Sequence, residues 1–355
     1  MRDLALALLK LQHEPIVYSP KLGSVARELL AAGIDVSDDL DDFQTAPDII
    51  HGNQHRETMT ALLHFSETPA VYFYHNAKSW LEDPPRFPRL LRYVAVDDNC
   101  YERLTTDHAI PKEKARTILN FVDLDRFQPR GLLPDRPRRA LVFSNYAHEH
   151  THLKVVREAC RRASLELDSI GESIARPSAQ PELELQNYDI VFAKARAALE
   201  SLAVGAAVVL CDADGAGPMV STQNFEQLRR LNFGSKTLQH PLAPETIQKE
   251  IARYDASDAA AVSRTARNTV GLHLAIYEIL DVYEEVLREH KLHGQPDRAE
   301  EGRAAARYLR HLSDEFAAHS ALTLRWRNRL LNVPVFGPRL IKLKSRFRAR
   351  GRSRN

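Results

Sequence analysis

The sequence has few cysteines and no long apolar run. Cys100, Cys160 and Cys211 are far apart in the chain, so they provide neither a disulfide framework nor the paired spacing of a zinc site. This usage suits a reducing cytoplasm. No apolar stretch reaches the roughly 18 residues that a membrane span needs. The short apolar stretch in "MRDLALALLKLQ" lacks a cleavage site, and we predict an amphipathic helix there instead of a signal peptide.

The C-terminal segment, residues 325–355, contains no Asp or Glu. It holds eleven of the 49 Lys and Arg residues, which leaves 38 basic against 47 acidic side chains in the rest of the chain. Large apolar residues, among them Trp326, Phe336 and Phe347, stand between the cations. This mixture is typical of a segment that binds an anionic membrane surface. An unbound solvated tail is the second interpretation, and nucleic acid, the competing polyanion, is the least favoured.

Short apolar runs alternate with helical stretches through most of the chain. Runs such as "PIVYSP", "PDIIHG" and "PAVYFYH" are rich in Val, Ile and Tyr, and this alternation is typical of a parallel, doubly wound sheet. The Pro- and Arg-rich stretch "QPRGLLPDRPRR" interrupts the pattern as a linker, and "RALVFSN" begins a second series. We therefore predict two Rossmann-like α/β domains over residues 1–130 and 138–275, followed by a helical, basic extension over 276–355.

One stretch of the second half, "YDIVFAKARAALESLAVGAAVVLCD", predicts a β-α-β unit. Ligands of such folds bind beyond the carboxyl ends of the strands, where helix N-termini favour phosphate. Lys194 and Arg196 fall at that end of the first strand, and Glu200 lies in the following helix. Two cations would suit a diphosphate, and a carboxylate would suit the hydroxyls of a ribose. Solvated polar residues at a strand-helix junction are an equally weighted alternative.

A longer stretch carries a family resemblance. "RYVAVDDNCYERLTTDHAIPKEKARTILNFVDLDRFQP" resembles the end of the N-terminal domain of family 4-type glycosyltransferases of the GT-B fold, with matches that include Pro111, Asn120, Asp123 and Phe127. "PDIIHGNQH", "PAVYFYHN" and "ALESLAVGAAVVLCD" are similar to other stretches of these enzymes. The resemblance covers about residues 14–275. It implies two Rossmann-like domains that face a cleft, with the nucleotide-sugar donor bound mainly by the second and the acceptor by the first.

The resemblance also implies roles for individual residues. Glu200 matches a glutamate that contacts the donor ribose, and His75 matches a histidine near the transferred sugar, so we give His75 the catalytic role. Lys194 and Arg196 have no strict counterpart, and their phosphate role depends on the strand-end argument. The remaining candidates are Ser144 and Asn145 on the donor side, and His51, His55 and Asn76 on the acceptor side.

The sequence departs from the family pattern in three places. The first glutamate of the family's pair is replaced by Phe192 and the loop before Glu200 is short, so a retaining or an inverting outcome stays open. The usual phosphate clamp is replaced by "FSNYAHEHTHLK", in which Lys154 is the nearest cation. The chain also opens inside the family's first helix, so that either Met1 is not the native start or the first domain lacks its first strand.

Three histidines of that altered clamp, His148, His150 and His152, alternate along the chain. They would need an extended strand to converge on a metal, and the predicted context is a loop that enters a helix. We therefore predict no metal. No cofactor is predicted either, because the nucleotide sugar is a substrate.

The predicted function is transfer of a sugar from a nucleotide-diphosphate donor to a cell-envelope or lipid-linked saccharide at the cytoplasmic membrane face. The predicted location is the cytoplasm, with the protein held peripherally at the inner membrane face by residues 325–355. Two alternatives stay open. One is a nucleotide-sugar epimerase or hydrolase on the same fold, and the other is a degenerate GT-B protein that binds without catalysis.

Overall fold

The computed structural model describes residues 1–75 and 80–331, with side chains as far as residue 317. The chain divides into two compact units. The larger unit comprises Met1–Pro84 and Arg89–Gln295, and the smaller comprises Pro85–Pro88 and the chain from Pro296 onward. All described strands belong to the larger unit, which contains two α/β domains.

The first domain contains six parallel strands in two separate sheets. The strands are β1 Ile16–Tyr18, β2 Asp35–Ser37, β3 Ile50–Gly52, β4 Ala70–Tyr74, β5 Leu90–Ala95 and β6 Ala115–Thr117. Its helices are α1 Arg2–Lys10, α2 Ser24–Ala31, α3 His55–His64 and α4 Asp98–Thr105. Strands β3 to β6 pair in sequence order as a four-stranded sheet, whereas β1 and β2 form a separate parallel pair. Every residue of β4 is buried, as expected for a central parallel strand covered on both faces.

The second domain contains a five-stranded sheet. Its strands are β7 Arg139–Phe143, β8 Glu166–Ile170, β9 Ile190–Ala193, β10 Ala207–Asp212 and β11 Gly215–Met219. Its helices are α5 His152–Arg162, α6 Pro181–Glu184, α7 Ala195–Val204, α8 Phe225–Arg230, α9 Pro244–Ile251 and α10 Ala256–Thr269. The strand order is β8-β7-β9-β10-β11, with only β11 antiparallel to its neighbour. Parallel pairing of β9 with β10 around α7 confirms the predicted β-α-β unit.

Two long helices follow. Helix α11 spans Leu272–His293, and its apolar face packs on the first sheet, where Ile276 and Ile279 join the core that contains Val71 and Phe73. The chain thus returns to the first domain after completing the second. The domain boundaries at 130, 138 and 275 stay predictions.

Helix α12, Arg298–Leu331, belongs to the smaller unit and agrees with the helical pattern predicted for the extension. Among the described residues, no helix combines the length and the apolar character that a membrane span requires. The predicted membrane-binding segment begins in the last turns of α12, and its remainder from residue 332 lies outside the described residues.

Candidate functional site

Helix α7 begins immediately after a buried strand. Strand β9 ends at Ala193 and α7 starts at Ala195, so Lys194 is the only connecting residue. Ala195 adopts a positive φ of 51°, and its N–H donates to the Phe233 carbonyl at 2.8 Å. This tight turn places the free N–H groups of the first turn of α7 at the carboxyl edge of the sheet, where the partial charge of a helix favours an anion.

The buried position of Phe192 explains why the first glutamate of the family's pair is absent here. Phe192 is fully buried inside β9 and belongs to a core cluster with Val209 and Cys211. A carboxylate at this position would enter the apolar core, where the free-energy cost of burying an unpaired charge is very large. Position 192 therefore does not reach the edge of the sheet where a donor would bind.

Lys194 forms an ion pair with Asp212, the last residue of β10. Asp212 is buried, whereas the Lys194 side chain is 24% exposed, so part of that side chain is accessible to a ligand. The Nδ1 atom of His152, the first residue of α5, lies 3.5 Å from the Asp212 carboxylate. Burial lowers the pKa of His152, which keeps the ring neutral. The Lys194–Asp212 pair thus lies beside a buried histidine of the altered phosphate clamp.

Arg196 contacts two carboxylates. Its Nε donates to Glu200 Oε1 at 2.8 Å along α7, and its Nη2 donates to Asp3 of α1 in the other domain. Burial raises the pKa of Glu200, even though Arg196 favours its ionised form. Arg196 and Glu200 are therefore neighbours on α7, but they also bind each other.

His75 follows β4, at the carboxyl edge of the first sheet. Its Nε2 donates to Asn53 Oδ1 at 2.8 Å, which leaves Nδ1 as the acceptor, and its backbone N–H donates to Glu82 Oε2 at 3.1 Å. The residue is exposed, yet the protein groups around the ring lower its pKa to about 4, chiefly by desolvation. The positive charges of the Met1 amino group and of Arg196 lower the pKa of His75 in the same direction.

The acceptor-side candidates that the structure describes, His51 and His55, occupy different environments. His51, within β3, stacks on Phe73 with ring centroids 4.0 Å apart, and its Nδ1 lies 2.6 Å from the Tyr283 hydroxyl of α11. His55 is buried at the start of α3. Asn76 lies outside the described residues. Burial lowers the pKa of His51 to about 3, so both His51 and His75 are neutral at pH 7.

Ser144 and Asn145 lie in the loop after β7, the strand next to β9, and so occupy the same edge of the sheet as Lys194. The Ser144 N–H donates to the Ile170 carbonyl at 3.1 Å, and Asn145 Oδ1 accepts from the Glu172 N–H at 3.3 Å. Gly171 makes this close approach possible, because a Cβ there would lie 1.9 Å from the Ser144 carbonyl oxygen. The loop is therefore fixed by backbone contacts with the β8–α6 connection.

The three alternating histidines do not share one environment. His148 and His150 are in the turn before α5, with ring centroids 5.9 Å apart, whereas His152 is buried within the first turn of the helix. In the part of the chain that the structure describes, no group of three or more His, Cys, Asp or Glu side chains is arranged to hold a metal ion.

Sequence reasoning missed Asp3, Asn53 and Asp212, which contact Arg196, His75 and Lys194 respectively. Asp212 carried a weak signal, because it directly follows the apolar run of β10 at the carboxyl edge. Asn53 carried a similar signal, because it directly follows β3, whereas Asp3 carried none, since it meets Arg196 only through the tertiary fold.

Comparisons with known proteins identify the fold. No family model and no curated protein matches the chain. Among solved structures, a glycosyltransferase from Rickettsia africae superposes with a TM-score of 0.56 at 16% identity, over 80% of this chain and 93% of that one. HepE from Anabaena, solved in complex with UDP and glucose, gives a TM-score of 0.57 at 12% identity, over 80% and 94% of the two chains. The protein therefore has a GT-B fold of two Rossmann-like domains with a C-terminal helical extension. Membership of family 4 stays a prediction.

Proposed function

We propose that the protein is a glycosyltransferase that uses a nucleotide-diphosphate sugar. The observation that carries this proposal is the α7 junction, where Lys194, Arg196, Glu200 and a helix N-terminus meet at the carboxyl edge of a parallel sheet. Anions bind at such positions in doubly wound folds. HepE, which shares the fold, was solved with UDP and glucose, and this supports a nucleotide-sugar donor.

In the proposed mechanism, Lys194, Arg196 and the first turn of α7 neutralise the negative charge that develops on the leaving diphosphate. Such fixed positive groups need no rearrangement at the moment of reaction, which makes them effective in catalysis. Glu200 would accept hydrogen bonds from the ribose hydroxyls. His75, with Nε2 bound to Asn53, presents a neutral Nδ1 that can accept a hydrogen bond from a sugar hydroxyl. Ser144 and Asn145 would complete the donor side, and His51, His55 and Asn76 the acceptor side.

The first experiment is thermal unfolding of the purified chain with UDP-, GDP-, ADP-, CDP- and dTDP-sugars. A ligand that binds the folded state raises the midpoint by mass action. We expect one donor to raise it, and we expect Lys194→Ala and Glu200→Ala to abolish the shift. Lys249→Ala, which removes an exposed cation of α9, is the matched control and should retain it. Unchanged affinity in both site variants would overturn the assignment.

A non-catalytic nucleotide-binding protein is the second candidate. One observation favours it: both proposed phosphate ligands already have carboxylate partners, Asp212 for Lys194 and Asp3 with Glu200 for Arg196. Incubation of the identified donor with mixed saccharide acceptors distinguishes the candidates. Release of the nucleoside diphosphate that depends on acceptor indicates transfer. Release or isomerisation without acceptor indicates a hydrolase or epimerase, and an intact donor indicates binding alone.

We also propose that the acceptor is a cell-envelope or lipid-linked saccharide at the cytoplasmic membrane face. The eleven cations of residues 325–355 support this, since each cation near an anionic surface contributes about 1 kcal/mol. The test is sedimentation of the full chain with phosphatidylglycerol vesicles, with phosphatidylcholine vesicles as the control. Binding should require the anionic lipid, weaken with salt, and disappear when residues 325–355 are deleted. Retained binding after deletion would show that this segment is not the anchor.

A further inference from the structure

Arg196 joins the two domains through a carboxylate of α1. Asp3 lies in the first turn of α1, is only 4% exposed, and accepts a hydrogen bond from Arg196, which is 193 residues away in the chain. Asp3 Oδ1 also accepts from Arg2 Nη1 at 2.9 Å. A buried carboxylate is thus held between two guanidinium groups where the domains meet.

The surroundings of Asp3 are those of an anion site. Two guanidinium groups and the N-terminus of α1 all favour negative charge at this position. Although burial opposes ionisation, the charges of Arg196 and Arg2 lower the pKa of Asp3, so its carboxylate is ionised at neutral pH. The position therefore holds a permanent anion that the protein itself supplies.

Guanidinium groups bind carboxylates and phosphates through the same donors. The Arg196 side chain is 44% exposed and can be reached from solution, but two of its donor groups are used by Glu200 and Asp3. Glu200 is on the same helix and moves with Arg196. Asp3 is on the other domain, so its contact is the one that a ligand can replace by a small movement of α1 relative to α7.

We propose that Asp3 is an internal substitute for one phosphate group of the donor. The donor diphosphate would displace the Asp3 carboxylate from Arg196, and Asp3 therefore weakens donor binding in the resting protein. This inference rests on the proposed nucleotide-sugar site and adds to it a competing group within the chain. It also explains how Arg196 can be paired in the structure and still serve as a phosphate ligand.

The test is the affinity of the full chain for the nucleoside diphosphate of the donor selected by thermal unfolding, measured by titration calorimetry. We expect Asp3→Asn to bind at least about tenfold more tightly, because a neutral amide competes for Arg196 more weakly than a carboxylate does by about that amount. Asp3→Glu keeps the charge and should bind much less tightly than Asp3→Asn. Glu28→Gln removes a carboxylate that pairs with Arg2 but not with Arg196, and it should match the wild type.

The outcomes separate this inference from the proposed function. Tighter binding by Asp3→Asn alone supports both. If the wild type binds and Asp3→Asn binds equally or more weakly, the nucleotide site stands and the competitive role of Asp3 is overturned. Equal gains in Asp3→Asn and Glu28→Gln would also overturn it, since they would reflect general charge. If no variant binds any nucleotide, both proposals fail. Asp3→Ser serves the same comparison if Asp3→Asn does not fold.

Discussion

Asp212 at the end of β10 forms an ion pair with Lys194, the single residue that connects β9 to α7. The pair ties two adjacent parallel strands together at the edge where the donor is proposed to bind. It fixes the direction of the Lys194 side chain, which the one-residue connection alone would leave free to rotate.

Replacement of Asp212 by Asn should lower the free energy of unfolding by about 1.5–3 kcal/mol, the contribution of a hydrogen bond to a charged group, because a neutral amide binds Lys194 more weakly than the carboxylate does. The lower part of that range is expected because Lys194 is partly exposed and water can solvate it. Urea unfolding measures the change. Asp125→Asn is the matched control, because that carboxylate is 91% exposed and 3.9 Å from Lys10, and we expect no measurable effect. Equal effects in the two variants would show that the buried pair does not stabilise the fold.

Gly171→Ala should displace the loop that carries Ser144 and Asn145. The new Cβ would lie 1.9 Å from the Ser144 carbonyl oxygen, and backbone atoms cannot yield as a flexible side chain can. Relief of such overlap typically costs about 1–3 kcal/mol. Donor affinity should fall as well if the loop contacts the donor. Gly131→Ala, which meets nothing within 4 Å, is the control and should leave both quantities nearly unchanged. Retained stability in Gly171→Ala would contradict the close approach.

The β-α-β unit could be predicted because two unbroken apolar runs flank an alanine-rich stretch, and a strand buried on both faces needs no alternation. Strand β2 was missed because Asp35–Ser37 is short and polar. Strand β11 was missed because Gly215–Met219 is rich in Gly and Pro. The Arg196–Asp3 contact could not be predicted, since it depends on how two domains meet and leaves no local pattern. The part of the proposed site at the β9–α7 turn therefore depends on local sequence, whereas the part that involves Asp3 depends on the tertiary fold.

Arg89 gives a prediction about the first domain. It is 1% exposed and donates to the carbonyls of Leu62, Phe65 and Thr68, the first two of which belong to the end of α3. The last carbonyls of a helix lack partners within the helix, and Arg89 supplies donors to this end of α3, where the Phe65 carbonyl also accepts from the Thr68 N–H at 3.3 Å. Lysine is a point charge without the planar fork and cannot reproduce these bonds.

We therefore expect Arg89→Lys to lower the free energy of unfolding by about 2–4 kcal/mol, since several charged hydrogen bonds are lost or weakened together. The measurement is urea unfolding monitored by circular dichroism. Arg161→Lys makes the same exchange at an exposed position of α5, and it should leave the midpoint unchanged. A similar small effect in both variants would mean that lysine can cap α3 as well as arginine does.

The protonation of His75 provides the last prediction. Desolvation lowers its pKa to about 4, whereas an unfolded histidine titrates near 6.5. Between these values the unfolded chain binds more protons at this residue than the folded chain does. The contribution of His75 to stability is therefore present above about pH 6.5 and is lost as the pH falls toward 4.

Two measurements check this shift. In an NMR titration, the resonances that disappear in His75→Gln should show no midpoint between pH 5.5 and 7.5 in the wild type, consistent with a pKa of about 4. In urea unfolding, the stability difference between wild type and His75→Gln should change between about pH 4 and 6.5 and be constant above that window. The glutamine amide can retain a hydrogen bond with Asn53 but cannot titrate, so the variant isolates protonation from geometry. A midpoint near 6.5 would show that solvent reaches the ring freely, and His75 would then carry charge in mildly acidic solution and lose its role as a neutral acceptor.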